Sequence, residues 1–336
     1  MAGSLIAGGY SGPPALTLSR VVTSWTLDIP VLAAVLVAAG LYLAGTRRLR
    51  RAGQPWPVAR TFSFLVGGTG AVVLATMSFL GVYQGVLFSI RAVQNVLLLL
   101  VAPLFLALGR PLTLLIAARP GLGARVAAAV HSRTARVLTF PAITAFVLVV
   151  VPFLLYFTPW YAAGLHSDLV RELTYAALMA PGLVFFWTLL RVDPVPKAYP
   201  YLVALWVTGA EVVGDAVLGL AVIADQHLIA GAYYQALARP WGPTLRADQV
   251  VGGGALWILG DLVGLPFLAA QLIQMIKEDE QEAAQVDAEL DARAAVAAAA
   301  QGPEKAGVAP AGADSQPWWE SDDRFTGRFR RPGQDA

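Results

Sequence analysis

A chain of 336 residues that is 57% hydrophobic and only 14% charged is not composed like a water-soluble domain, in which about a quarter of residues carry charge. It has no cysteine, which excludes disulfides, zinc–thiolate and iron–sulfur centres and any thiol relay for copper. The formal net charge of +2 decides little, and only three histidines are present, His131, His166 and His227.

Residues 1–24 contain Gly and Pro with weak periodicity, and lack the basic n-region and small-residue cleavage site of a signal peptide, so they are expected to stay as an extracytoplasmic N-terminal segment. Apolar runs long enough to cross a bilayer then recur: Trp25 to Gly45, Thr61 to Val82, Val86 to Leu108, Val137 to Phe157, Leu173 to Leu190, Tyr201 to Ala224 and Val250 to Ile276. Pro111 to Ala118 is apolar but too short to cross, and Thr158 to Asp168 and Asp225 to Asp248 read as loops. Trp and Tyr near the span ends read as interfacial belts. The expected fold is therefore all-α, a polytopic bundle of seven transmembrane helices over residues 25–276.

The loops after spans one, three and five carry Arg47, Arg48, Arg50, Arg51 and Arg60, then Arg110, Arg119, Arg125, Arg133 and Arg136, then Arg191 and Lys197. The alternate loops carry chiefly Arg239 and Arg246. By the positive-inside rule the first set is cytoplasmic, which puts the N-terminus outside and the C-terminus inside a bacterial plasma membrane. These clusters fit topology, and nothing in the chain suggests nucleic-acid binding. Residues 277–293 are highly charged and helix-favouring, a cytoplasmic extension of the last span. Residues 294–336 are expected to form a disordered tail, within which Trp318, Trp319, Phe325 and Phe329 among charges read as a docking motif or an interfacial contact.

Polar residues inside spans are costly and therefore informative. Arg91, Gln94 and Asn95 are spaced to share one face of the third helix. Glu211 and Asp215 are one turn apart on the sixth, and Asp261 lies mid-way along the seventh. Arg91 either snorkels to the outer surface or pairs with a carboxylate, Asp215 being the first choice because it too lies towards the outer end of its helix. The cluster is either ion-paired glue for the bundle or an ion path. A second polar group, His166, Asp168, Asp225, Gln226, His227, Asp248 and Gln249, gathers in the outer loops, where a divalent metal site competes with plain solvated residues. Gly252, Gly253, Gly254, Gly260 and Gly264 thin the seventh helix for close packing. No phosphate-binding loop, nucleophile elbow or zinc-protease helix is present, and no constellation supports an enzyme.

The run Phe88-Ser89-Ile90-Arg91-Ala92-Val93-Gln94-Asn95, followed by Val101-Ala102-Pro103-Leu104, Gly109 and Pro111-Leu112, resembles the motif of the CtaG family of cytochrome c oxidase assembly factors. Further segments agree in order: Thr158-Pro159-Trp160-Tyr161, Phe186-Trp187 with Asp193-Pro194, Asp248-Gln249 with Gly252-Gly253, and Asp279-Glu280 with Glu282-Ala283. The resemblance implies seven helices, a role in oxidase maturation linked to copper, and oxidase subunits as partners within the lipid bilayer. Arg91 and Asn95 stand where the family motif carries histidines, and Arg171, Tyr175 and Ala177 occupy a segment that is histidine-rich in relatives. A guanidinium stays protonated and cannot replace an imidazole as a ligand. The expected function is a histidine-depleted scaffold or partner in oxidase assembly. The alternative is a small-ion or metal transporter using Arg91, Glu211, Asp215 and Asp261.

Overall fold

The computed structural model describes residues 10–197 and 199–300, the last four as backbone only. The aromatic docking motif, Trp318, Trp319, Phe325 and Phe329, lies outside the described residues. Among those residues every regular element is helical. Six helices are long and apolar enough to cross a membrane: Ile29–Arg51, Val58–Tyr83, Phe88–Ala118, Asp168–Leu190, Tyr201–Ala224 and Leu245–Val296. Pro141–Phe157, bent through 66° into Trp160–His166, makes a seventh candidate when the pair is counted as one span. They are numbered here in chain order, the bent pair being the fourth. Their outward faces carry Leu36, Leu41, Phe146, Trp206, Val213 and Leu262, all exposed, as suits a surface solvated by lipid tails.

Local chemistry sets the helix ends. Asp28 accepts the Val31 amide at 3.2 Å and Pro30 sits in the first turn, so the first helix starts at Ile29. It runs on through Arg48, Arg50 and Arg51, cations that suit a helix C-terminus. Two stretches widen to π-helix, Ser63–Thr69 in the second helix and Leu97–Val101 in the third. The second of these directly precedes Pro103, which has no N–H to give a carbonyl one turn back. Gly182 of the fifth helix sits against the Leu99 carbonyl and the Pro103 ring, closer than any side chain would permit.

Three features depart from the sequence-based expectation. The segment after Phe157, read as a loop, forms the Trp160–His166 helix. Pro159 cannot continue the preceding helix, and burial of Tyr161 and Gly164 against the core gives the restarted turns a packing partner. The last helix starts at Leu245, which moves Asp248 and Gln249 out of a loop and into its first turns, and the preceding loop contains a short helix, Gly231–Ala236. Finally, helix continues to Ala300, past the boundary expected at residue 293, because the following run is mostly alanine, the best helix former.

By compactness the chain divides into Met1–Met275 and Ile276–Ala336. The second unit is described only as helix, exposed along residues 276–296, with Glu289 and Arg293 paired at 3.9 Å.

In the first unit the sixth and seventh helices cross where Gly219 and Gly253 meet: a Cβ at Gly253 would lie 2.8 Å from the Gly219 carbonyl oxygen, and one at Gly219 would lie 2.6 Å from that of Gly253. The main core cluster gathers Leu98, Leu100, Leu148, Leu155, Leu178, Phe185 and Phe186 from the third, fourth and fifth helices. A smaller one stacks Tyr42 on Phe64, with ring centroids 4.1 Å apart, where the first two helices meet.

Candidate functional site: a tyrosine and amide network around Arg91

The third helix begins with Phe88, and its first amides point at Asp248 of the seventh helix. The Asp248 carboxylate accepts from Phe88 N at 2.8 Å, from Ser89 N at 3.2 Å and from the Ser89 hydroxyl at 2.5 Å. Asp248 is 1% exposed, so a capping charge is delivered from another helix to a buried helix start. Gly252, one turn further, makes room for the Phe88 ring and the Ser89 backbone.

Arg91 lies in the first turn of this helix, 2% exposed, which rules out snorkelling to the surface. Its guanidinium carbon sits 4.9 Å from the Tyr161 ring centroid, in cation–π range. The Tyr161 hydroxyl is 2.8 Å from that of Tyr234, in the short helix before the seventh span. Burial pushes the Tyr234 phenol well above its ordinary range, with Arg91 pulling the other way, so the hydroxyl stays protonated. Asn95 donates to the Tyr156 hydroxyl at 2.7 Å. Gln94 is fully buried and donates to the Ala75 carbonyl at 2.8 Å. Its amide is also 3.4 Å from the Tyr175 hydroxyl, which donates to Gln84 at 2.7 Å. Arg91 Nε and Gln94 Oε1 have no hydrogen-bond partner.

The sequence grouped Arg91, Gln94 and Asn95 on one face, and all three are buried as that spacing implies. The sequence marks Tyr161 and Tyr175 only through the family resemblance and gives no role to Gln84, Tyr156 or Tyr234. Tyrosines near span ends read as interfacial belts, yet these four are buried with their hydroxyls turned into the network. The available signal was the unmatched hydrogen-bonding capacity of three polar residues within a span, which requires partners from neighbouring helices.

Among the described residues no ion pair joins Arg91 to a carboxylate. Among the described residues the ion pairs are Arg171 with Asp168 and Glu172, His227 with Asp225, and Arg293 with Glu289. Glu211 and Asp215 are 2% and 8% exposed and lie along the crossing with the seventh helix, where Gly264 faces Glu211 and Gly260 faces Asp215. Asp261 belongs to the same stretch of the seventh helix, is only partly buried, and has one oxygen without a hydrogen-bond partner. Asp215 and Asn95 line a common cavity of about 10 Å³, room for about one water molecule. The polar residues of the third and sixth helices thus approach through Asn95, not through Arg91. Asp215 is accordingly not the counter-ion of Arg91. Arg91→Met and Asp215→Asn are expected to change thermal stability additively, with Arg91→Met neutral or stabilising because an unpaired buried charge is removed. A coupling above about 1 kcal/mol in the double-mutant cycle would show that the two charges do sense each other.

The outer-loop polar group does not converge. His227 is 98% exposed beside Asp225, His166 stacks edge-on to Tyr233 at 5.2 Å, and Asp168 pairs with Arg171. Gln249 clamps the loop before it, donating to the carbonyls of Val222, Asp225 and His227 and accepting from Ile229 N. Among the described residues no three His, Asp or Glu side chains gather as metal ligands. The chemistry at Arg91 and Asn95 does not suit copper either, since a guanidinium has no lone pair to give and the one metal-binding atom of Asn95 is a hard carbonyl oxygen.

The remaining motif residues serve the architecture. Gly109 lies against Phe64 and its carbonyl accepts the Tyr42 hydroxyl at 2.7 Å. Pro111 opens the helix Pro111–Ala118, whose Leu112 and Thr113 amides are capped by Asp193 at 3.1 and 2.8 Å. This repeats the Asp248 arrangement on another helix, with Thr113 in place of Ser89 as the hydroxyl donor.

Fold and network together define a multi-pass helical membrane protein with a tyrosine-lined, cationic centre. Residues 40–278 match the family Cytochrome c oxidase caa3 assembly factor (Caa3_CtaG), and the chain belongs to this family. Similar proteins include an uncharacterized protein of Mycobacterium bovis and one of Mycobacterium tuberculosis, each 32% identical over 292 residues, covering 84% of this chain and 44% of the relative. An uncharacterized protein of Mycobacterium leprae is 29% identical over the same length. The chain thus spans less than half the length of these relatives. No solved structure matches it.

Proposed function

We propose that the protein serves cytochrome c oxidase assembly as a membrane scaffold or partner, and does not carry copper at the position its family motif marks. The observation behind this reading is the state of that position. Arg91 and Asn95 are occupied with Tyr161 and Tyr156; the guanidinium has no lone pair for a metal, and Asn95 has only a carbonyl oxygen, a hard donor that does not replace the imidazole copper prefers. Copper then reaches the oxidase by another route, and this chain contributes shape and contact. Docking through Trp318, Trp319, Phe325 and Phe329 belongs to the same proposal, on the strength of their grouping in the sequence.

The setting proposed is a bacterial plasma membrane, with the N-terminus outside and the C-terminus cytoplasmic. The alternation of arginine-rich and arginine-poor loops supports it. An ion path through Glu211, Asp215 and Asp261 is the rival reading. The single-water size of the cavity at Asp215 favours a packing role instead.

Complementation tests the proposal. Deletion of the gene is expected to lower the amount of assembled oxidase. A chain carrying His166→Ala and His227→Ala, unable to bind metal through outer imidazoles, is expected to restore it fully. Failure of that variant, with its membrane level unchanged, would return a metal-carrying role to the protein. Reporter fusions in the same strains should read Arg50 and Arg125 as inside and His166 and Tyr233 as outside.

A further inference from the structure

Beside the first helix runs an apolar groove of about 400 Å³, bounded by that helix, by Pro111–Ala118 and by the start of Pro120–Val130. Its walls include Leu41, Ala44, Leu115 and Leu122, and its polar lining residues are Tyr42, Arg48 and Arg119. No carboxylate lines it, and neither arginine forms an ion pair among the described residues. The two arginines mark one end. Gly109 meets Tyr42 through a hydrogen bond and Leu114 packs on Gly45, so the chain leading to Arg119 advances alongside the first helix towards Arg48. Arg119 is also the residue before the helix Pro120–Val130, whose first turn has no side-chain cap. That helix start therefore adds unshared N–H groups and a positive dipole end next to the two guanidiniums. Away from the arginines, the groove reaches Ala38, which it shares with a second, mostly apolar crevice of about 310 Å³ lined by Val31, Ala34 and Val35 of the same helix, with Thr69, Thr76 and Glu172 in its opposite wall. The first helix thus offers a nearly unbroken greasy track that ends in uncompensated positive charge.

We propose that this groove holds one glycerophospholipid with an anionic headgroup, its acyl chain along the first helix and its headgroup at Arg48 and Arg119. A neutral lipid would fill the track but leave both charges unanswered. A soluble anion would answer the charges but leave the track to other lipid. Only the amphiphile satisfies both ends. The lipid would also act as a wedge, filling the gap between the first helix and the body of the bundle. This explains how a helix with so few buried residues, Tyr42, Thr46 and Leu49, keeps a defined position.

The test uses the full chain purified in mild detergent, with phosphatidylglycerol, phosphatidylcholine or inorganic phosphate added separately. Native mass spectrometry counts retained lipid and thermal unfolding reads stabilisation. One phosphatidylglycerol should be retained at least about five-fold better than phosphatidylcholine, in keeping with the attraction between basic residues and anionic lipid. Arg48→Ala/Arg119→Ala should abolish the preference, while Arg47→Ala/Arg51→Ala, which removes equal charge from outside the groove, should keep most of it. Equal retention of the two lipids, a preference that survives loss of Arg48 and Arg119, or equal loss in both double variants would each overturn the proposal. So would stabilisation by inorganic phosphate matching that by phosphatidylglycerol, which would indicate a free-anion site. Should the double variant fail to fold, Ala44→Trp decides. It fills the groove from its exposed rim, and retention of phosphatidylglycerol in that variant would be equally fatal.

Discussion

Asp248→Ala is expected to lower stability by about 4 kcal/mol, among the largest effects of any single substitution in the bundle. The carboxylate caps the third helix from the seventh, and its removal strands the amide of Phe88 in a buried position and that of Ser89 in a partly buried one. Each unsatisfied buried donor costs about 1–3 kcal/mol, and a charge-assisted bond at a helix start is at the upper end of that range. The Ser89 hydroxyl adds less, because it is only partly buried and can rotate to another partner. Asp248→Asn should lie between, since the amide keeps one acceptor but turns N–H groups towards a donor. Unfolding in detergent, followed by helicity, measures both. An Asp248→Ala protein as stable as wild type would mean that water reaches this helix start and that the cap is dispensable. The corresponding change at Asp193 should cost less, because Leu112 and Thr113 are only partly buried and solvent can replace the lost acceptor.

The second large effect is expected at Gly253. A Cβ there would lie 2.8 Å from the Gly219 carbonyl oxygen and 3.2 Å from Ile223 N, which are backbone atoms that cannot step aside. Gly253→Ala should therefore cost about 1–3 kcal/mol through overpacking, and Gly253→Leu should prevent the sixth and seventh helices from meeting, so that little folded protein accumulates. Gly254 supplies the control within the same motif. A Cβ at that position meets nothing within 4 Å, and Gly254→Leu should be tolerated. Equal damage at the two positions would show that glycine is needed there for helix flexibility, not for a close crossing.

The two predictions share a basis in how the family motif is used. Pro103, Gly109, Pro111, Asp248, Gln249, Gly252 and Gly253 bring helix starts, helix crossings and one loop into register, and the network around Arg91 is what that register encloses. A buried arginine without a paired carboxylate is eased by the Tyr161 ring over its guanidinium. Histidines placed at positions 91 and 95 would have to displace contacts to Tyr161 and Tyr156 that the present side chains make.

The hydrophobic runs by themselves determined the class of fold and the approximate place of each crossing, because in a bilayer the backbone must satisfy itself within each segment. They also marked Arg91, Gln94, Asn95, Glu211, Asp215 and Asp261 as inward-facing, because lipid offers such groups no partner; all but the partly buried Asp261 are buried. Which partner each residue takes was decided only by the tertiary structure. Charge alone suggested that Arg91 would seek Asp215, but helix packing placed Tyr161 over the guanidinium and left Asp215 beside Asn95 and Gly260. The helix at Trp160–His166 and the burial of Asp248 followed the same logic. Both depend on surfaces brought from residues far away in the chain, and a local pattern of apolar and polar residues carries no record of which distant surface will arrive.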